Sequence, residues 1–177
     1  MIYLFLADGF EEIEALSCVD ILRRAGLDVF TVGVTGKTVT GAHGIKVEAD
    51  IPISECSEDA EMVILPGGSV GTDNLAASAE VAALVRGAAR RNAYVAAICA
   101  APTVLGGLGL LAGRRAVCYP GLEGRLTGAT KCADRVCIDG NFITSRGPGT
   151  TAEFALTLIG ILAGGAVADQ LRKGMLW

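Results

Sequence analysis

Histidine occurs once in this sequence, at His43, and none of its six cysteines (Cys18, Cys56, Cys99, Cys118, Cys132, Cys137) form a Cys-x-x-Cys pair. A structural zinc site needs tighter clustering of such ligands, so neither a metal nor another cofactor is expected. Runs of Lys or Arg are also missing, and 15 basic against 19 acidic residues leave a net charge of −4. Neutralising a phosphate backbone needs a basic face, which argues against generic nucleic-acid binding. There is no internal repeat and no low-complexity tract. The start of the chain, Met1 to Ala7, has no basic segment and is too short for a secretion signal. A cytoplasmic location with reduced thiols is therefore expected. Residues 93–113 carry no charge, but Pro102 and four glycines (Gly106, Gly107, Gly109, Gly113) interrupt them. A buried strand followed by a buried helix fits this stretch better than a membrane span.

The 177 residues are 51% hydrophobic, with 24 glycines scattered among them. That is enough for one sizeable core and many tight turns, and a single domain over 1–177 is expected. Ile2 to Ala7 is a continuous apolar run, the mark of a strand buried on both faces. Glu11 to Ala25 reads as a helix, with Ile13, Leu16, Val19 and Leu22 as its apolar stripe and Gly26 as its stop. Leu27–Val34, Glu61–Leu65 and Tyr94–Ile98 read as further strands, and 36–47 as a hairpin. Helices are expected over Ala79–Arg91, from Pro102, over Thr150–Ala163 and over Val167–Lys173. Asp139-Gly140-Asn141 signals a hairpin between 135–138 and 142–145. Strands alternating with helices predict a three-layer α/β sandwich, a mainly parallel sheet with helices on both faces. Its ligand site should lie beyond the carboxyl ends of the strands.

Three of those ends carry distinctive residues. Cys99 follows Val95-Ala96-Ala97-Ile98 and precedes Ala100-Ala101-Pro102, so small residues permit a sharp turn at the thiol. A helix starting there would offer free N–H groups to a thiolate or an oxyanion. The local sequence fits a reactive thiol and a merely buried cysteine equally. Pro66-Gly67-Gly68 reads on its own as a tight turn, and alternatively as a backbone donor facing the thiol. Glu11, Glu12 and Glu14 lie in a first helical turn, where a carboxylate ordinarily just complements the helix dipole.

Taken together and in order, four segments resemble the ThiJ/PfpI superfamily, closest to its Parkinson's disease protein seven, or deglycase, branch. They are Ala7-Asp8-Gly9-Phe10-Glu11-Glu12-Ile13-Glu14, Leu65-Pro66-Gly67-Gly68, Ala96-Ala97-Ile98-Cys99-Ala100-Ala101-Pro102-Thr103 and Thr144-Ser145-Arg146-Gly147-Pro148-Gly149-Thr150. The resemblance runs from residue 2 to about 170 and implies a flavodoxin-like, class I glutamine amidotransferase-like fold. It implies Cys99 as the reactive cysteine, Glu14 as the buried carboxyl bonded to it, and Gly68 and Ala100 as oxyanion donors. Arg24, Ser145 and Arg146 match residues of the pocket mouth and dimer interface in relatives. The protease-like branch has a histidine directly after the cysteine, where Ala100 stands here. Other relatives have one where Tyr119 stands. Tyr119 is left as a candidate hydroxyl for substrate or as packing. His43 falls where close relatives often carry an arginine at the pocket mouth, though its position better suits an ordinary histidine of a surface hairpin.

What the resemblance implies is a glutathione-independent, cysteine-dependent enzyme acting on a small reactive carbonyl, a 2-oxoaldehyde or an early glycation adduct. Cys99 would form a hemithioacetal and Glu14 would shuttle the proton. The alternative is a redox-sensing stress-response protein or chaperone in which Cys99 is oxidised. A thiamine-pathway role has no residue to support it. A homodimer is implied, with the first helix at the interface and Cys18 and Val19 near the partner. Helix N–H groups and the neighbouring carboxyl lead to an expected low pKa for Cys99 and a protonated Glu14.

Overall fold

Apolar strands alternating with helices assemble into the expected layers, described for Met1–Trp177 in a computed structural model. In chain order come β1 (Ile2–Leu6), α1 (Glu12–Arg24), β2 (Val29–Gly33), β3 (Thr38–Thr40), β4 (Lys46–Glu48), β5 (Ile51–Pro52) and β6 (Met62–Leu65). They are followed by α2 (Ser69–Ala77), α3 (Ala79–Arg90), β7 (Tyr94–Ile98), α4 (Pro102–Gly107), β8 (Arg115–Ala116) and β9 (Thr130–Lys131). The chain ends with β10 (Val136–Asp139), β11 (Phe142–Ser145), α5 (Thr151–Leu162) and α6 (Gly165–Gly174).

Seven strands form one sheet in the order β10-β11-β7-β6-β1-β2-β5. Every pairing in it is parallel except the β10–β11 hairpin. Period-two alternation divides the central strand between two cores. Ile2, Leu4 and Leu6 pack in the cluster that includes Phe154 and Ile159 of α5. Tyr3 and Phe5 pack in the cluster with Val81 and Val85 of α3 and Leu105 of α4. The result is a flavodoxin-like three-layer α/β sandwich. The strand order reverses between β1 and β6, and at such a switch point the strand ends leave a crevice. No helix is long and apolar enough to cross a membrane. The uncharged stretch 93–113 is β7, the short α4 and turns.

Two expectations need correction. The buried stripe of α1 is Ala15, Cys18, Val19 and Leu22, whereas Ile13 is 54% exposed. Residues three apart slip by about 60° per step around a helix, so an every-third pattern winds off one face. Cys18 and Val19 consequently pack in this chain's own core. The helix α2 was not anticipated, because Ser69–Ala77 lacks an apolar stripe. Burial of Thr72 and Leu75, and close approach of Gly71 to the Gly9 backbone, set it instead.

The break between α2 and α3 is held by Ser78, whose hydroxyl accepts the Val81 N–H at 3.2 Å. Ser78→Ala removes this cap and is expected to lower stability by about 1 kcal/mol in chemical denaturation, without altering the site.

Candidate active site

Cys99 ends β7 with φ +64°, a left-handed conformation that a non-glycine residue adopts only under constraint. Both of its backbone groups are committed. Its N–H donates to the Ser145 carbonyl at 3.0 Å, and its carbonyl accepts the Tyr119 N–H at 2.7 Å. The turn thus presents the thiol at the carboxyl edge of the sheet, 9% exposed.

Glu14 reaches the same point from α1. Its Oε2 accepts the Gly67 N–H at 2.8 Å, and the carboxyl and the Cys99 thiol both flank Gly67, where an added Cβ would meet Glu14 Oε2 at 2.6 Å and Cys99 Sγ at 3.1 Å. Its Oε1 is buried without a partner. Glycine is required between the two groups: a Cβ on Gly67 would stand 2.6 Å from both Cys99 Cβ and Glu14 Oε2. Gly68, at φ +91°, leaves a side chain no room against the Gly9 and Glu11 backbone. The backbone N–H groups of Gly68 and Ala100 each favour the charged form of the Cys99 sulfur, so the four residues expected at the centre of the site lie together there.

Burial pushes the Glu14 carboxyl up to about 7, against the lowering effect of its bonds to Cys99 and Gly67. Burial also pushes the Cys99 thiol up to about 12, and the negative charge and hydrogen bond of Glu14 add to this. Gly68 and Ala100 pull it back only in part. The low pKa expected for Cys99 is therefore not found. Donors at a helix start are visible in local sequence, whereas the layers that remove water from the thiol are not. Two of the effects that raise Cys99 exist only while Glu14 is ionised. The two groups therefore titrate as a coupled pair, with burial favouring the neutral form of each.

The thiol opens on a cavity of about 540 Å³, bounded by Glu11, Thr72, Tyr119, Leu122, Arg125 and Pro148 among others. Tyr119 lines it, as expected, and is 49% exposed. Thr72, Leu122 and Arg125 had no sequence signal: Thr72 lies on the unanticipated helix, and the others on an irregular loop after Tyr119.

Other expected pocket residues lie elsewhere. Arg24 sits ten residues beyond Glu14, about 15 Å along the same helix, and is paired with Asp20 at 2.8 Å. The Ser145 hydroxyl donates to the Arg135 carbonyl and bonds Thr150, so Ser145 serves the site through its own carbonyl. Arg146 borders a neighbouring cavity. His43 Nδ1 lies 2.7 Å from Glu12 Oε2 and 3.8 Å from Glu11 Oε2, just outside the cavity wall.

Donor atoms of Glu11, Glu12 and His43 come within 4.8 Å of one another, but both Glu12 oxygens are already engaged by the His43 backbone and ring. Burial alone would raise Glu12, yet these His43 bonds hold it below the usual carboxylate range. The hydrogen bond to Glu12, and then the charges of Glu11 and Glu12, raise His43 above 6.5. A proton NMR titration should place the His43 midpoint above that value, and Glu12→Gln should move it down. The contact's stabilising effect is full below the unfolded histidine pKa and is lost as pH rises through the folded one.

Mainly parallel sheets of this order, with a cysteine elbow beside the switch point, form the class I glutamine amidotransferase-like group. Within that group the chain belongs to the DJ-1/PfpI family, whose family model matches residues 1–160. It is similar to protein dj-1beta of Drosophila melanogaster, 38% identical over 175 residues, 97% of this chain and 94% of that one. It is also similar to the glutathione-independent glyoxalase DJR-1.2 of Caenorhabditis elegans, 33% identical over 92% of this chain and 88% of that one. The structure of oxidized Toxoplasma gondii DJ-1 matches with a TM-score of 0.96 and 34% identity, over 99% of this chain and 97% of that one.

Proposed function

We propose that this protein converts small 2-oxoaldehydes, methylglyoxal being the simplest, to 2-hydroxy acids without glutathione. The observation that carries this reading is the Cys99 thiol on the wall of a cavity with the buried Glu14 carboxyl beside it. The Cys99 sulfur attacks the aldehyde carbon, and the resulting oxyanion meets the Gly68 and Ala100 N–H groups. Protonation gives a hemithioacetal. Glu14 then takes the proton from that carbon and returns it to the adjacent one, leaving a thioester of the hydroxy acid. Water cleaves the thioester, releases the acid and restores the thiol. Over the cycle one aldehyde and one water give one hydroxy acid. Glu14 suits the shuttle because a carboxyl with a pKa of about 7 gives and takes protons readily near neutrality. The same intermediate would serve an early glycation adduct, with release of the amine.

The purified protein is expected to consume methylglyoxal and form lactate with no glutathione present; no turnover sinks the proposal. Alkylation of Cys99 against pH tests the coupling of the pair separately. The rate should rise in two steps, the first near 7, and Glu14→Gln should leave only one.

A second reading, selective oxidation of Cys99 to a sulfinate, draws support from the likeness to an oxidized relative and from the donors around the sulfur. Limiting peroxide with intact mass analysis distinguishes it by a stable gain of two oxygens at Cys99.

A homodimer is also proposed, across the outward face of α1. Ile13 and Leu16 border an apolar groove there with Met175 and Trp177. Light scattering on the intact chain should give twice the chain mass, and Ile13→Glu should shift it toward the single chain.

A further inference from the structure

A pair of thiols lies away from Cys99, where β8, β9 and β10 converge. The Cys132 N–H donates to the Ala116 carbonyl at 2.9 Å, which ties the residue after β9 to β8. Cys137 comes from β10, and the two cysteines share a small separate apolar cluster with Val117. Neither thiol is in a disulfide.

The two are not equivalent. Cys132 borders an open cavity of about 290 Å³ with Cys118, Glu123, Lys131 and Arg146. Cys137 lies behind it, 1% exposed. Arg115 Nη2 donates to the Cys132 sulfur at 3.2 Å. The Cys132 thiol donates to Asp134 Oδ2 at 3.2 Å, and Asp134 is itself paired with Arg115. A thiol on a cavity wall, itself 7% exposed, with a cation and a proton acceptor at its sulfur and a more deeply buried second thiol behind it, is the arrangement of an attacking and a resolving cysteine.

We propose that Cys132 and Cys137 form a second redox site, in which Cys132 reduces a hydroperoxide and Cys137 closes an intramolecular disulfide. Asp134 takes the Cys132 proton as the sulfur attacks the outer peroxide oxygen. The O–O bond breaks, and the departing oxygen is met by the Arg115 guanidinium and takes that proton, leaving as water or an alcohol. Cys132 is now a sulfenic acid, oxidised by two electrons. The Cys137 sulfur attacks it, the S–O bond breaks, and the hydroxyl leaves as water with the Cys137 proton. Burial and the neighbouring Cys132 push the Cys137 thiol up to about 12, so it keeps that proton until this step.

The test uses the full chain carrying Cys99→Ser, which removes the reaction proposed for Cys99. It is treated with one equivalent of hydrogen peroxide, and remaining thiols are then alkylated in acid. Trypsin cleaves after Lys131 and Arg135, so the two cysteines fall on separate peptides. The expected product is peptide 132–135 joined to peptide 136–146, released by dithiothreitol. Cys137→Ser should give instead a Cys132 sulfenic acid that dimedone captures. Arg115→Gln should slow the joining several-fold, a change in rate that a purely structural contact would not produce. Full alkylation of both cysteines after peroxide, or joining of Cys132 to Cys118, overturns the proposal.

Discussion

Cys99→Ser is expected to abolish lactate formation from methylglyoxal, by about 10⁴-fold or more, whereas Glu14→Gln should lower it by about 10² to 10⁴-fold. The serine hydroxyl is a far weaker nucleophile than the thiol, and no histidine stands by to activate it: the chain's one histidine is held by Glu12 outside the cavity. Glutamine at 14 can still accept the Gly67 N–H, so the elbow should keep its shape, but it cannot carry a proton between carbons. The two variants should therefore fail at different steps. With Glu14→Gln, methylglyoxal should still add to Cys99, and mass spectrometry should find a reversible adduct of one aldehyde per chain. With Cys99→Ser that adduct should be missing. Substantial turnover by the serine variant would remove Cys99 from the chemistry, and full turnover by the glutamine variant would remove Glu14.

The centre of this site is marked in sequence only by four ordered segments that together resemble one family, since each segment alone also fits an ordinary turn, cap or buried thiol. Cys99 must be flanked by small residues for the elbow to turn, and Gly67-Gly68 must lack side chains for α1 and β7 to bring Glu14 and Cys99 together. The apolar run of β1 likewise announces a strand buried on both faces. What sequence did not disclose depends on packing across the chain. Thr72 enters the cavity on a helix with no apolar stripe, and Arg125 enters it from a loop. Arg24 lies on the right helix but about three turns away. His43 is fixed by a partner 31 residues earlier. The high pKa of Cys99 has the same origin, since burial by both helical layers outweighs the two backbone donors that its own neighbourhood supplies.

That burial predicts a second large effect, on stability. Glu14 is pushed from an ordinary 4.5 to about 7 in the folded protein. Between those values the folded state holds a proton that the unfolded chain has already released, so stability falls as pH rises through the interval. The stabilising contribution of protonated Glu14 is full below 4.5 and gone above about 7. At about 1.4 kcal/mol per pH unit this amounts to roughly 3 kcal/mol. Because other carboxyls titrate over the same range, the quantity to measure is the difference between Glu14→Gln and the parent in urea denaturation, at pH 4.5 and at pH 8. The variant should gain roughly 3 kcal/mol relative to the parent across that span. A constant difference would mean that the folded pair holds no extra proton, and would take away the shuttle along with the stability effect. A gain means that the change which stabilises the fold is the one that stops turnover. The unpartnered Oε1 and the raised carboxyl are then the energetic cost of keeping a transferable proton beside the thiol.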